Sequence, residues 1–243
     1  MTEIASRQNA KFKTWSALTE ARGIKKSGRA LISGRKLVAE FLKQNPKACE
    51  DLIVPPKADA PDHSGHVKAY QLTAPLFKEV DVMGTKSPLL VVKTPELREW
   101  TGDKPRGLEL IVALSDPGNL GALLRSAEAF GVTRVILTEE SASPFLPKTT
   151  RGASLANFRL ELASTGPLAH VKAPGALSLD MDGENISTFK WPENLFLILG
   201  EEGRGIPAGL SMGSISIPMM GQVESLNATA AASIALFSYR NRR

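Results

Sequence analysis

The chain has 243 residues, 42% of them hydrophobic, and a formal net charge of +5 at pH 7, which is enough apolar material for one large or two ordinary globular domains. No apolar run is long enough to span a bilayer, and Met1 to Ala10 lacks the apolar core of a secretory signal, so a soluble cytoplasmic protein without membrane association is expected. Cys49 alone cannot form an internal disulfide, and His63, His66 and His170 lack zinc-ligand spacing, so neither a disulfide framework nor a metal is expected.

The charge is unevenly placed. Residues 1–36 carry nine basic side chains against Glu3 and Glu20, and the C-terminal end adds Arg240, Arg242 and Arg243, which leaves the stretch between them acidic. Basic ends serve solubility, or they form the footprint of a polyanion such as nucleic acid. Within the first region "RALISGRKLVAEFLKQ" reads as a strand and a helix, and "CEDLIV", "AYQLT" and "PLLVVK" read as strands. The spacing predicts a small α/β domain over residues 1–93, with "PPKADAPDHSGH" as an exposed loop. Charges, prolines and glycines interrupt the hydrophobic pattern from Thr94 to Gly107, where a linker over residues 94–107 is expected.

Residues 108–243 form a second domain of short apolar strands, each ending in a polar or glycine-rich corner: "LELIVAL", "RVILTEE", "ALSLDMD", "LFLILG" and "SISIPM". Strands apolar on both faces and alternating with helices imply a parallel sheet between helix layers, with ligands beyond the carboxyl ends of its strands. In "SDPGNLGALLRSAEAFGV" Asn119 is the expected helix N-cap and Gly131 the stop. Arg125 lies off the apolar stripe beside Gly121 and Ala122, either paired with Glu128 or facing open space. "LILGEEGRGIP" has Gly200, Gly203 and Gly205 after a strand, a plain tight turn or a place of close backbone approach to a ligand. Glu201 and Glu202 there disfavour a phosphate and suit a cationic or hydroxyl-bearing group. "DMDG", Asp180 to Gly183, lacks the remaining ligands of a calcium loop and reads as a strand end and turn. Lys148 and Arg151 sit in an expected loop, "SPFLPKTTRGASLANF", which suits a phosphate backbone or a solvated surface equally.

The order of "DPGNLGALLRSAEAFG", "LILGEEGRGIP" and "ISIPMMGQVESLNATAAASIALF" closely resembles the three motifs of the SpoU (TrmH-like) branch of the SPOUT RNA methyltransferases. "SRQNAKFKTWSAL" and "RALISGRKLVAEFL" look like the small RNA-binding domain that precedes the catalytic domain in many members. Two positions depart from the usual pattern: Ser33, where an acidic residue is common, and Ala156, where glycine is common.

The resemblance implies an α/β fold with a parallel-sheet SPOUT catalytic domain, a C-terminal trefoil knot and a preceding small α/β RNA-binding domain. It implies S-adenosyl-L-methionine as cofactor, held around Gly200, Glu202, Gly203, Ile217, Met219 and Leu226, and methyl transfer to a ribose 2'-hydroxyl. It makes Arg125 the catalytic arginine, with Asn119, Glu202, Ser225 and Asn227 orienting it, the ribose and the cofactor. RNA, either rRNA or tRNA, is the implied partner, with Arg7, Lys11, Lys13, Lys148 and Arg151 as contacts, and a homodimer through the knot region is implied. A non-catalytic RNA-binding protein retaining the fold and an enzyme methylating a base are the competing readings. Ser225 is expected to cap the alanine-rich helix at the C-terminal end. A chain beginning near Leu108 is expected to keep the cofactor and lose RNA affinity.

Overall fold

The computed structural model describes residues 1–200, 206–207, 210, 213–221 and 225–242. It divides into two compact units: Met1–Glu96 with Ser143–Phe158, and Leu97–Ala142 with Arg159–Arg243.

The first unit is built on a mixed five-stranded sheet. Its strands are β1 (Thr2–Ile4), β2 (Arg29–Ser33), β3 (Cys49–Val54), β4 (Lys68–Leu72) and β5 (Leu89–Lys93), in the order β1-β4-β3-β5-β2. Helices α1 (Ala10–Ala17), α2 (Ala21–Ser27), α3 (Arg35–Gln44) and α4 (Ala74–Val80) complete the α/β alternation. Asn9 caps α1 by accepting from the amides of Lys11 and Phe12, while Phe12 and Trp15 supply its buried face. Trp15 Nε1 donates to Asp51 Oδ2 at 3.1 Å, so this carboxylate is held inside the unit by a tryptophan and by Lys11. Cys49 is buried, and burial pushes its thiol up to about 11, which removes it from nucleophilic chemistry near neutrality.

The segment Ser143–Phe158, expected as a loop of the second domain, instead carries helix α6 (Pro147–Ala153) and packs with the first unit. Phe158 meets Phe41 of α3 edge-on at 4.9 Å and Phe145 at 5.3 Å. Aromatic burial of this kind is a tertiary event that local periodicity does not announce.

Among the described residues the second unit carries seven strands, all paired in parallel: β6 (Arg98–Glu99), β7 (Leu108–Val112), β8 (Arg134–Leu137), β9 (Glu161–Ser164), β10 (Leu177–Asn185), β11 (Leu195–Leu199) and β12 (Gly213–Ser216). Their order is β12-β10-β11-β7-β8-β9-β6. Every residue of β7, β8 and β11 is buried, as strands covered on both faces require.

Most of the stretch read as a linker, residues 97–107, is part of this unit. Within it β6 pairs with β9, Trp100 is buried against Phe196 with ring centroids 5.4 Å apart, and Asp103 accepts from Arg134. A chain beginning at Leu108 would remove these groups and take α3 away from Phe158, so that cut does not isolate a complete folded unit.

Helix α5 (Pro117–Ala129) starts two residues before Asn119. Asp116 is its N-cap, accepting from the Asn119 amide at 2.8 Å, and Pro117 occupies the first turn, where a missing N–H costs nothing. Gly131 ends it with φ +64°, and a Cβ there would collide with the Arg240 guanidinium. Helix α7 (Ala228–Arg240) lies along α5 in the same direction. Thr229 Oγ1 donates to the Asn119 carbonyl at 3.1 Å, Ser126 and Ser233 hydroxyls meet at 2.9 Å, and Arg240 donates to the carbonyls of Phe130 and Gly131. Ala232 and Ala235 are fully buried. Small side chains at these positions allow two helices to approach closely, and alanine keeps its helix propensity there.

Candidate functional site

Three parallel strands line one cavity of about 240 Å³ in the second unit, β11 and β12 with their carboxyl-terminal residues and β10 with its middle, just past its pairing with β11. Leu179, Asp180 and Met181 come from β10, Ile198, Leu199 and Gly200 from β11 and the residue after it, and Ile215 and Ile217 from β12 and its exit. Met219, Ser225, Leu226, Ala228 and Ala231 close it from the approach to α7 and its first turn, with Ile206 also in the wall. Ligands of open parallel sheets bind beyond the carboxyl ends of strands for a geometric reason: the loops there diverge and leave a crevice.

Of the residues assigned to the cofactor from the sequence, Gly200, Ile217, Met219 and Leu226 line this cavity together. Glu202 and Gly203 lie outside the described residues. Ser225 also lines the cavity, but it does not cap α7: Asn227 does, its Oδ1 accepting from the amides of Thr229 at 2.9 Å and Ala230 at 3.3 Å. Asn227 Nδ2 in turn donates to Asn119 Oδ1 at 3.3 Å. One asparagine therefore satisfies the helix start and fastens it to the first turn of α5. Asn227→Ala should lower the unfolding free energy by about 1 kcal/mol, the usual worth of a capping side chain, as measured by urea denaturation.

Arg125 is exposed on α5, and no described residue hydrogen-bonds to it or pairs with it. Glu128, its expected helical neighbour, is taken by Arg159, with Nη2 to Oε2 at 2.8 Å. That hydrogen bond, working against burial, holds the Glu128 carboxyl below the usual carboxylate range. Among the described residues nothing occupies the guanidinium of Arg125, which sits on the helix whose first turn Asn227 secures.

The basic residues named as RNA contacts separate into groups. Arg7 donates to Glu79 Oε1 through Nε at 2.8 Å, and Lys11 donates to both oxygens of Asp51 at 2.6 and 2.7 Å. Lys13 is exposed on α1, and Lys148 and Arg151 are exposed on α6 in the same unit. Sequence reasoning passed over Asp180 and Met181, although "DMDG" marked their position. Two aspartates and a glycine after an apolar run also describe an ordinary turn, so pattern alone carries no cavity.

The SpoU rRNA Methylase family matches residues 109–237. The ribosomal RNA small subunit methyltransferase G 2 of Syntrophobacter fumaroxidans is 38% identical over 242 residues, covering 98% of this chain and 49% of that protein, so the chain spans about half the length of this relative. The 23S rRNA (guanosine(2553)-2'-O)-methyltransferase RlmP of Bacillus subtilis is 30% identical over 250 residues, 99% of this chain and all of that protein, 100%. Among solved structures, the SpoU methyltransferase AviRb of Streptomyces viridochromogenes, in complex with AdoMet, superposes with a TM-score of 0.80 at 21% identity, covering 97% of this chain and 100% of that one.

Proposed function

This chain belongs to the SpoU rRNA Methylase family, and we propose that it is an S-adenosyl-L-methionine-dependent RNA 2'-O-ribose methyltransferase acting on rRNA. The observation that carries the reading is the convergence of Gly200, Ile217, Met219 and Leu226 on one cavity, in the unit that also presents Arg125, exposed and with no partner among the described residues. The cavity fits the cofactor chemically. Its walls are largely apolar, as a flat adenine requires, and among the described residues its one ionisable side chain is acidic, which favours a cationic ligand over a phosphate. The B. subtilis relative, named for 2'-O-methylation of 23S rRNA and aligned over nearly the whole chain, supports the ribose hydroxyl of rRNA as the acceptor.

The cofactor, when bound, supplies an electrophilic methyl group. The chain's residues prepare the acceptor: an arginine is always protonated in a protein, so Arg125 holds the negative charge that develops on the ribose oxygen and orients the neighbouring phosphate. Asn119 and Asn227 position it by joining the starts of α5 and α7, while Ser225 lines the cavity and the motif assigns Glu202 and Gly203 to the cofactor as well.

The proposal extends to the trefoil knot at the C-terminal end, to a cytoplasmic location and to a homodimer. Ala230, Ile234 and Phe237 form an exposed apolar stripe along α7, with Ile234 40% and Phe237 57% accessible, which supports pairing of two copies there. The first unit, carrying Lys13 with Lys148 and Arg151, is the RNA-binding part of this reading. Incubating purified protein with S-adenosyl-L-methionine and rRNA, followed by nucleoside mass spectrometry, tests it. A 2'-O-methylated nucleoside is expected, and a base-methylated product or none refutes the reading.

A further inference from the structure

We infer that Asp180 recognises the cationic amino-acid end of S-adenosyl-L-methionine, an inference that rests on the cavity being the cofactor site. The motif that reads as a turn in the sequence is a built excursion of β10. Leu179 and Glu184 both register with Ile215 of β12, so residues 180–183 are looped out between two pairings with the same partner. Bulges of this kind re-aim side chains and occur beside active sites.

The excursion is closed by Gly183. A Cβ at that position would stand 2.5 Å from the Ser214 carbonyl carbon and 2.6 Å from Ile215 backbone atoms, and Ser216 Oγ donates to the Gly183 carbonyl at 2.8 Å. Backbone packs directly on backbone there. Its other end puts Asp180 and Met181 in the cavity wall.

Asp180 is the one ionisable side chain among the described residues lining the cavity. It is exposed, whereas Ile198 and Ile215 of the same lining are buried. A ligand with an apolar adenine and a charged aminoalkyl end sorts itself by this difference. The adenine takes the buried wall, and the ammonium stays at the solvent-facing rim, where the carboxylate accepts a charge-assisted hydrogen bond. Asp180 Oδ1 already accepts from the Asp182 amide at 3.3 Å, which fixes the carboxylate's direction.

The test is calorimetric titration of the full chain with S-adenosyl-L-methionine, with S-adenosylhomocysteine, which keeps the amino-acid end without the sulfonium charge, and with methylthioadenosine, which keeps the adenosine and lacks both the amino-acid end and that charge. Asp180→Asn should weaken S-adenosyl-L-methionine about tenfold, the scale of one hydrogen bond to a charged group, with S-adenosylhomocysteine losing affinity in parallel, and leave methylthioadenosine within about twofold. Asp180→Glu should recover part of the loss, and Asp182→Asn, removing a neighbouring charge outside the cavity wall, should change the binding of none of them. Unchanged binding of S-adenosyl-L-methionine by Asp180→Asn overturns the inference, as does an equal loss for S-adenosyl-L-methionine and methylthioadenosine, which would place the carboxylate on the adenosine. A loss for S-adenosyl-L-methionine alone would place the carboxylate on the sulfonium and overturn the inference as well. Wild-type protein that binds none of these ligands would refute the cofactor site itself, a different failure. Equal unfolding temperatures for wild type and variants confirm that each comparison is made on folded protein.

Discussion

Arg125→Ala should reduce methyl transfer by about 10²–10³-fold while leaving S-adenosyl-L-methionine affinity within a few-fold of wild type, the pattern of a lost transition-state donor. The structural grounds are the exposure of Arg125 on α5, its freedom from any described intramolecular partner, and its absence from the described cavity wall. Removing an exposed side chain from a helix costs little stability, and alanine is the best helix former. A loss of activity would then report on the acceptor oxygen and its phosphate. Transfer of labelled methyl groups to rRNA, with calorimetry of the cofactor in parallel, reads the two effects separately. Unaltered transfer in the variant would remove Arg125 from the mechanism.

Glu109→Ala should destabilise the second unit by about 3–5 kcal/mol, the usual effect of removing one member of a buried ion pair. Glu109 is fully buried at the start of β7, and its Oε2 accepts from Arg134 Nε at 2.9 Å and Nη2 at 2.6 Å. Its Oε1 accepts from the Arg106 amide at 3.0 Å. Loss of the carboxylate leaves the guanidinium of Arg134 buried, with only Asp103, whose side chain is 46% exposed, to balance it. It also leaves the Arg106 amide without this acceptor. Urea unfolding should show a lower midpoint with an unchanged slope. Adding Arg134→Met should restore part of the stability, because the cost lies in the stranded charge more than in the missing pair. A single variant as stable as wild type would show that solvent reaches this pair.

Both residues show where local pattern stops being sufficient. Glu109 was visible only as one polar letter in "LELIVAL", and its partner lies 25 positions away on β8. The two meet because parallel pairing sets Glu109 opposite Arg134, with α5 spanning the interval between their strands. Register across a crossover is decided by the packing of a whole sheet on its helices, and no short window contains it. The helix caps illustrate the same limit over a shorter distance. Asn119 and Ser225 are both chemically able to cap, yet Asp116 and Asn227 do so, because the helix begins where the entering strand and the neighbouring helix allow.

The sequence by itself determined the alternation of apolar strands and helices, the stop at Gly131, the uneven charge and the order of the three motifs that identify the family, since each is written in neighbouring residues. Tertiary structure alone decided that Ser143–Phe158 packs with the first unit, that residues 97–107 belong to the second, and that Asp180 lines a cavity. Each of these depends on pairing between residues far apart in the chain. That pairing is fixed by burial of rings, charges and backbone groups that can be satisfied only together.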